Sequence, residues 1–149
     1  MINRTRMLRQ SVQRLLREDY PQRRAQLQTL PKRIATERAR LETLRATAAA
    51  LPVPPACGKR REEQETAITV ELDRLTAELE LAQLEVQTID GILNGLPAAE
   101  RRTVERMDLR RQHRAIEYLC EELGYEKTAV YEIYDAALDA IARLYFGRT

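Results

Sequence analysis

The sequence predicts an all-α chain, a long antiparallel helical (coiled-coil) hairpin followed by a C-terminal helix-turn-helix, and three observations predict it. Apolar residues recur at alternating spacings of three and four along two long stretches, the rhythm of a heptad seam. Gly and Pro are few, 5 and 6 in 149 residues, and clustered, so they punctuate helices. Near the C-terminus two short apolar-periodic runs flank the step Leu123-Gly124, the outline of two helices joined by a tight turn. Aromatics make up 5% of the chain and Trp is absent. Such a composition suits long helices with narrow seams better than a broad core. Residues 1–95 form an expected basic helix plus oligomerising hairpin, and residues 96–149 the helix-turn-helix.

Residues 3–18 read as a basic amphipathic helix. Leu8, Val12, Leu15 and Leu16 make its stripe with Met7 beside it, and Arg4, Arg6, Arg9, Arg14 and Arg17 crowd the rest. Asp19-Tyr20-Pro21 should end it, because the residue before a proline avoids helical geometry. This helix either contacts nucleic-acid phosphates, lies on a membrane surface, or docks its stripe on the other helices and solvates its arginines. A second helical segment spans 22–50, with Leu27, Leu30, Ile34, Glu37, Leu41, Leu44, Ala48 and Leu51 on one seam. Pro31 removes a backbone donor inside that seam, so the helix is expected to start there, near Thr29 or Leu30. Residues 52–58 read as a loop. The third segment, 62–94, carries Ile68, Leu72, Leu75, Leu79, Ala82, Val86, Ile89 and Leu93 in the same rhythm. A short loop between two such helices returns them antiparallel. Leu81 and Leu84 lie off the seam and widen the face, which favours a homodimer or higher homo-oligomer unless residues 3–18 cover it within one chain.

Residues 94–100, Asn-Gly-Leu-Pro-Ala-Ala-Glu, break the third helix and open a fourth, with Pro97 in a first turn and Glu100 near the positive end of the helix dipole. Val104, Met107 and Leu109 are its expected inward residues. Arg110, Arg111, His113 and Arg114 follow as a basic cluster able to hold a DNA backbone. Ile116, Leu119, Cys120 and Leu123 then share one helical face, and Gly124 stands where a chain leaving a helix often needs positive φ. Val130, Ile133, Ala137, Leu138 and Ile141 build the facing stripe of the last helix. Its outward positions are Lys127, Thr128, Tyr131, Glu132, Tyr134 and Asp135. Lys127 can meet a phosphate or guanine, Thr128 lies beside it, and Tyr131 and Tyr134 can meet a phosphate or base edge. Glu132 and Asp135 would repel phosphates.

Leu123-Gly124-Tyr125, Val130, Ile133 and Ala137-Leu138 resemble the DNA-binding region four of bacterial sigma factors. With Leu96-Pro97 opening the preceding helix, the chain resembles phage transcriptional regulators of the RinA and ArpU type over roughly residues 25–146. The resemblance implies a cytoplasmic protein of a bacterial host that binds double-stranded DNA and activates late genes, with RNA polymerase as an implied partner. Two departures stand out. Glu126 occupies a place where Ser or Thr usually caps the second helix, and Met107-Asp108-Leu109 replaces an Arg-Tyr-apolar triplet. A phage packaging protein such as a small terminase subunit, or a coiled-coil adaptor that binds protein, is the alternative.

Charge is unevenly spread. Residues 1–50 carry twelve Arg or Lys against four Asp or Glu, whereas 108–149 carry six against eight. No Gly-rich phosphate loop, Cys-x-x-Cys, His-Glu-x-x-His or nucleophile elbow occurs, and His113 is the single histidine. No enzyme, cofactor or metal is therefore expected. Cys57 and Cys120 read as reduced thiols, and no apolar run reaches membrane-span length.

Overall fold

The computed structural model describes residues 3–50 and 55–147, with side chains from 58 onward in the second stretch. Its described elements are all helical: α1 (Arg4–Arg14), a π-helical stretch Leu15–Asp19, α2 (Tyr20–Ala50), α3 (Pro55–Gly95), α4 (Ala98–Val104), a second π-helical stretch Glu105–Leu109, α5 (Ala115–Leu123) and α6 (Lys127–Phe146). They gather into two compact units. One joins Met1–Arg23 to Glu85–Thr149, and the other is Arg24–Leu84. The N-terminal helix and the end of α3 thus belong to the same compact unit as the C-terminal helices.

In the first unit α6 is the central element. Val130, Ala137, Leu138 and Ile141 on α6 are at most 1% exposed, as are Val12, Leu16, Val104 and Leu119 from the surrounding helices. A fully buried Leu or Val contributes about 1.5–3 kcal/mol relative to its exposed state. The helix α1 lies against α6. Its stripe is used as an internal docking face, with Val12, Leu15 and Leu16 buried and Met7 half exposed. Arg9 donates to both carboxylate oxygens of Asp139 at 2.8 Å. These contacts favour the docking reading of residues 3–18 over a free arm.

Both π-helical stretches alter what spacing alone predicts. Tyr20 keeps helical angles directly before Pro21, with its N–H donating to the Leu15 carbonyl. The wider turn relieves the clash between a proline ring and the carbonyl four residues back, so the helix passes the proline instead of ending. The extra residue per turn also places Leu15, Leu16 and Tyr20 inward together. At Glu105–Leu109 the same widening rotates the register. Met107 and Leu109 are only half-buried, while Asp108 is 1% exposed. The apolar inward face expected from Val104, Met107 and Leu109 therefore becomes Thr103, Val104 and Asp108.

The second unit pairs α2 with α3. Leu30 and Ile34 pack on Leu75, with Leu72 and Leu79 against them. Arg33 meets Glu71 at 3.6 Å across the pair. Pro31 lies inside α2, which does not start there. It is exposed, so water can take the acceptor its missing N–H leaves open. Pro55–Gly58, expected as loop, begin α3, a position that suits proline because first-turn N–H groups lack intrahelical acceptors. The rest of the expected loop, and Leu51 of the seam, lie outside the described residues, as does the Cys57 side chain. On the outer side of α3, Val70, Leu81 and Leu84 are 63%, 45% and 62% exposed.

Candidate nucleic-acid interface

The helix α5 ends on Gly124 in the left-handed region, φ 72°, and its N–H donates to the Cys120 carbonyl. That angle costs glycine little and a residue with a Cβ about 1–2 kcal/mol, which is why this position closes the turn. The helix α6 begins after Glu126, whose side chain makes no capping hydrogen bond. The first turns of α6 therefore present Lys127, Thr128 and Tyr131 to solvent, with Tyr131 42% exposed. Glu132 is exposed beside them, and Asp135 is turned toward α1, 3.6 Å from the Arg9 guanidinium.

Tyr134 is not on that surface, and its expected part in contacting DNA is corrected. It is 5% exposed, and its hydroxyl donates to Asp108 Oδ1 at 2.8 Å and accepts from Gln13 Nε2 at 2.9 Å. Burial, reinforced by the negative charge of Asp108, pushes the phenol up to about 12. The reason is helical geometry. Tyr134 follows Val130 by four residues and precedes Ala137 and Leu138 by three and four, so it shares their inward face.

Asp108 organises the polar centre beneath this surface. Its Oδ1 also accepts from Arg17 Nε at 2.7 Å, while Oδ2 is buried with no hydrogen-bond partner among the described residues. Burial pushes its carboxyl above the usual aspartate range, against the hydrogen bonds from Tyr134 and Arg17 and the charges of Arg17 and Arg111. The Asp-for-Tyr departure noted in the sequence thus has a structural use. A residue of the N-terminal helix, Arg17, is held against the turn that precedes α5.

That turn is strained. Arg111 and Arg114 both have positive φ, 47° and 58°, in the region non-glycine residues enter at a cost of about 1–2 kcal/mol each. Such outliers cluster where function holds them. Arg114 is also the residue before α5 and provides no side-chain cap, so the first-turn N–H groups of α5 remain available to an anion. An open hollow of about 370 Å³ lies at this point. It is lined by Arg17, Arg111, Gln112, Arg114, Lys127 and Tyr131, among others, and Ala115 and Ile116 bring the start of α5 to its wall. Four cationic side chains share it with one carboxylate, Glu117, which lies 3.8 Å from Arg114. Among the described residues, neither Arg111 nor Lys127 takes part in an ion pair.

The structure therefore brings Arg111, Arg114, Lys127 and Tyr131 together. Thr128 is exposed on α6 outside the hollow lining, and Arg110 is exposed on the preceding turn. Sequence reasoning named Arg17 only as part of the basic N-terminal helix and did not place it, or Gln112, at this site. No local pattern could have singled out Arg17, whose place depends on α1 docking.

Comparison with protein-family models, curated proteins and solved structures returns no match.

The fold around the hollow is braced from behind. Glu122 on α5 accepts from Arg106 and pairs with Arg102, both at 2.7 Å, which holds its carboxyl below the usual glutamate range. No group of His, Cys, Asp and Glu among the described residues could hold a metal ion. No described helix is long and apolar enough to cross a membrane.

Proposed function

We propose that this chain is a DNA-binding transcriptional regulator of phage or prophage origin. In this reading α5, the Gly124 turn and α6 act as a sigma-like helix-turn-helix, and the antiparallel pair of α2 and α3 serves as an oligomerising hairpin. The observation that carries the reading is the hollow of Arg17, Arg111, Arg114 and Lys127 at the start of α5, beside the exposed first turns of α6. Its charge, size and open backbone N–H groups suit a backbone phosphate, and a phosphate seated there fixes the register in which Lys127, Thr128 and Tyr131 meet base edges. Activation of late genes through RNA polymerase is what the resemblance to RinA and ArpU regulators adds.

The exposed carboxylates of Glu126 and Glu132 favour a second reading, an adaptor whose α5–α6 surface binds protein. Salt titration of binding to genomic DNA fragments separates the two. In the regulator, Lys127→Glu with Tyr131→Ala weakens sequence-specific binding about tenfold or more with helicity unchanged. Arg111→Ala with Arg114→Ala lowers the slope of log affinity against log salt by about 2. Unchanged affinity in both variants would remove the reading.

A further inference from the structure

The outer side of α3 opposite its seam with α2 carries a second heptad rhythm. From residue 67 to 84 the spacings are again three and four, and Val70, Ala77 and Leu81 lie on that line, all exposed. Along this line Ala67, Val70, Ala77, Leu81 and Leu84 are exposed and apolar, and Arg74 interrupts them, paired within the helix to Glu71 and Glu78. Such a stripe on a helix already packed on its other side calls for a partner. The flank of this stripe is acidic. Residues 62–84 hold seven Asp or Glu against one Arg, and Asp73 and Glu80 run along one edge. A second α3 is therefore a poor occupant, because like charges would face each other.

The outer side of α2 has the opposite character. From 25 to 49 the same spacing gives an exposed line rich in alanine, including Ala35, Ala39 and Ala46, and Arg38 and Arg45 run along its edge. Residues 24–50 hold six Arg or Lys against two Glu. One antiparallel register satisfies both lines together. Leu81 falls over Ala35 and Val70 over Ala46, large residues on small ones, and Ala77 meets Ala39 between them. The same register sets Arg74 by Glu42, Arg38 by Glu80 and Arg45 by Asp73.

We propose that the outer face of α3 docks on the outer face of α2 in a second copy of this chain. The two faces are different surfaces on opposite sides of one helix pair, so the contact is heterologous. Each copy keeps one face open after pairing, and copies add in a ring or a row instead of stopping at a two-fold dimer. The inference uses residues of Arg24–Leu84 alone and stands apart from the reading of the DNA surface.

Sedimentation and light scattering of the full chain test it. The expected result is a particle of more than two 17.3 kDa chains. Leu81→Glu, and separately Arg38→Glu with Arg45→Glu, should each reduce it to monomer with helical content unchanged. A mixture of the two variants retains one intact α3 face and one intact α2 face, and should give a 1:1 dimer and nothing larger. Adding Asp73→Arg and Glu80→Arg to the Arg38→Glu, Arg45→Glu chain should restore the large particle. A monomeric parent chain overturns the proposal. So does a dimer that persists in the Arg38→Glu, Arg45→Glu chain, because that would show α3 pairing with itself.

Discussion

The two units of this chain are built on different principles. Arg24–Leu84 is held by a narrow seam, Leu30 and Ile34 on Leu75, and its polar groups mostly face water. The unit of Met1–Arg23 and Glu85–Thr149 places α6 among helices distant in sequence and buries Asp108 with Tyr134 at its centre, where Asp108 also accepts from the partly exposed Arg17. The difference teaches where function can reside. A repeating seam presents long uniform faces suited to copies of itself. A centre assembled from remote segments can hold strained arginines and an uncapped helix start in one place.

Substitutions can break or sharpen that contrast. The largest expected effect is Leu138→Ala, which opens a cavity at a fully buried position of α6 and should cost about 3–4 kcal/mol in denaturant titration. If the cost were under about 1 kcal/mol, α6 would not be the centre of its unit. Next comes Arg17→Ala, which leaves the Asp108 carboxylate buried with Tyr134 alone and should cost about 3 kcal/mol near neutral pH. Because the Asp108 carboxyl is already raised by burial, its protonated form fits the fold better. Its favourable contribution is complete below the ordinary aspartate range and fades as pH rises through the raised value. The penalty of Arg17→Ala should accordingly shrink as pH falls, and a penalty independent of pH would mean that Asp108 is already neutral.

Smaller effects probe the turns. Gly124→Ala should destabilise by about 1 kcal/mol, because alanine resists φ 72°. Arg111→Gly should act in the other direction, raising stability by about 0.5–1 kcal/mol through relief of its positive φ while weakening DNA binding. Loss of stability in that variant would show that the Arg111 side chain supports the fold more than its strain opposes it.

The helical class and the paired seams are legible in the sequence because heptad spacing is local. Leu30, Ile34, Leu72, Leu75 and Leu79 declare their face within one or two turns, and Gly124 declares its turn alone. The π-helical stretches are not legible. They depend on how a proline at 21 and an aspartate at 108 are accommodated by neighbours remote in sequence. For that reason the helix end expected at Asp19 falls inside a continuous helical run, and Asp108 replaces Met107 and Leu109 in the interior. The start expected near Leu30 fails separately, because exposed Pro31 leaves the acceptor it cannot satisfy to water. Lys127, Thr128 and Tyr131 could be singled out by position after the turn, and Arg111 and Arg114 by the basic cluster that precedes α5. Tyr134 was misplaced although its spacing from Val130, Ala137 and Leu138 sets it on their face, because a phenol reads as outward until the buried carboxylate that satisfies its hydroxyl is known. The contribution of Arg17 exists only once α1 docks.

Amide hydrogen exchange of the full chain, with and without duplex DNA, addresses the interface most directly. The account predicts new protection concentrated in residues 115–117 at the start of α5 and 127–131 at the start of α6. Protection confined to residues 4–14, with none at those two helix starts, would contradict it.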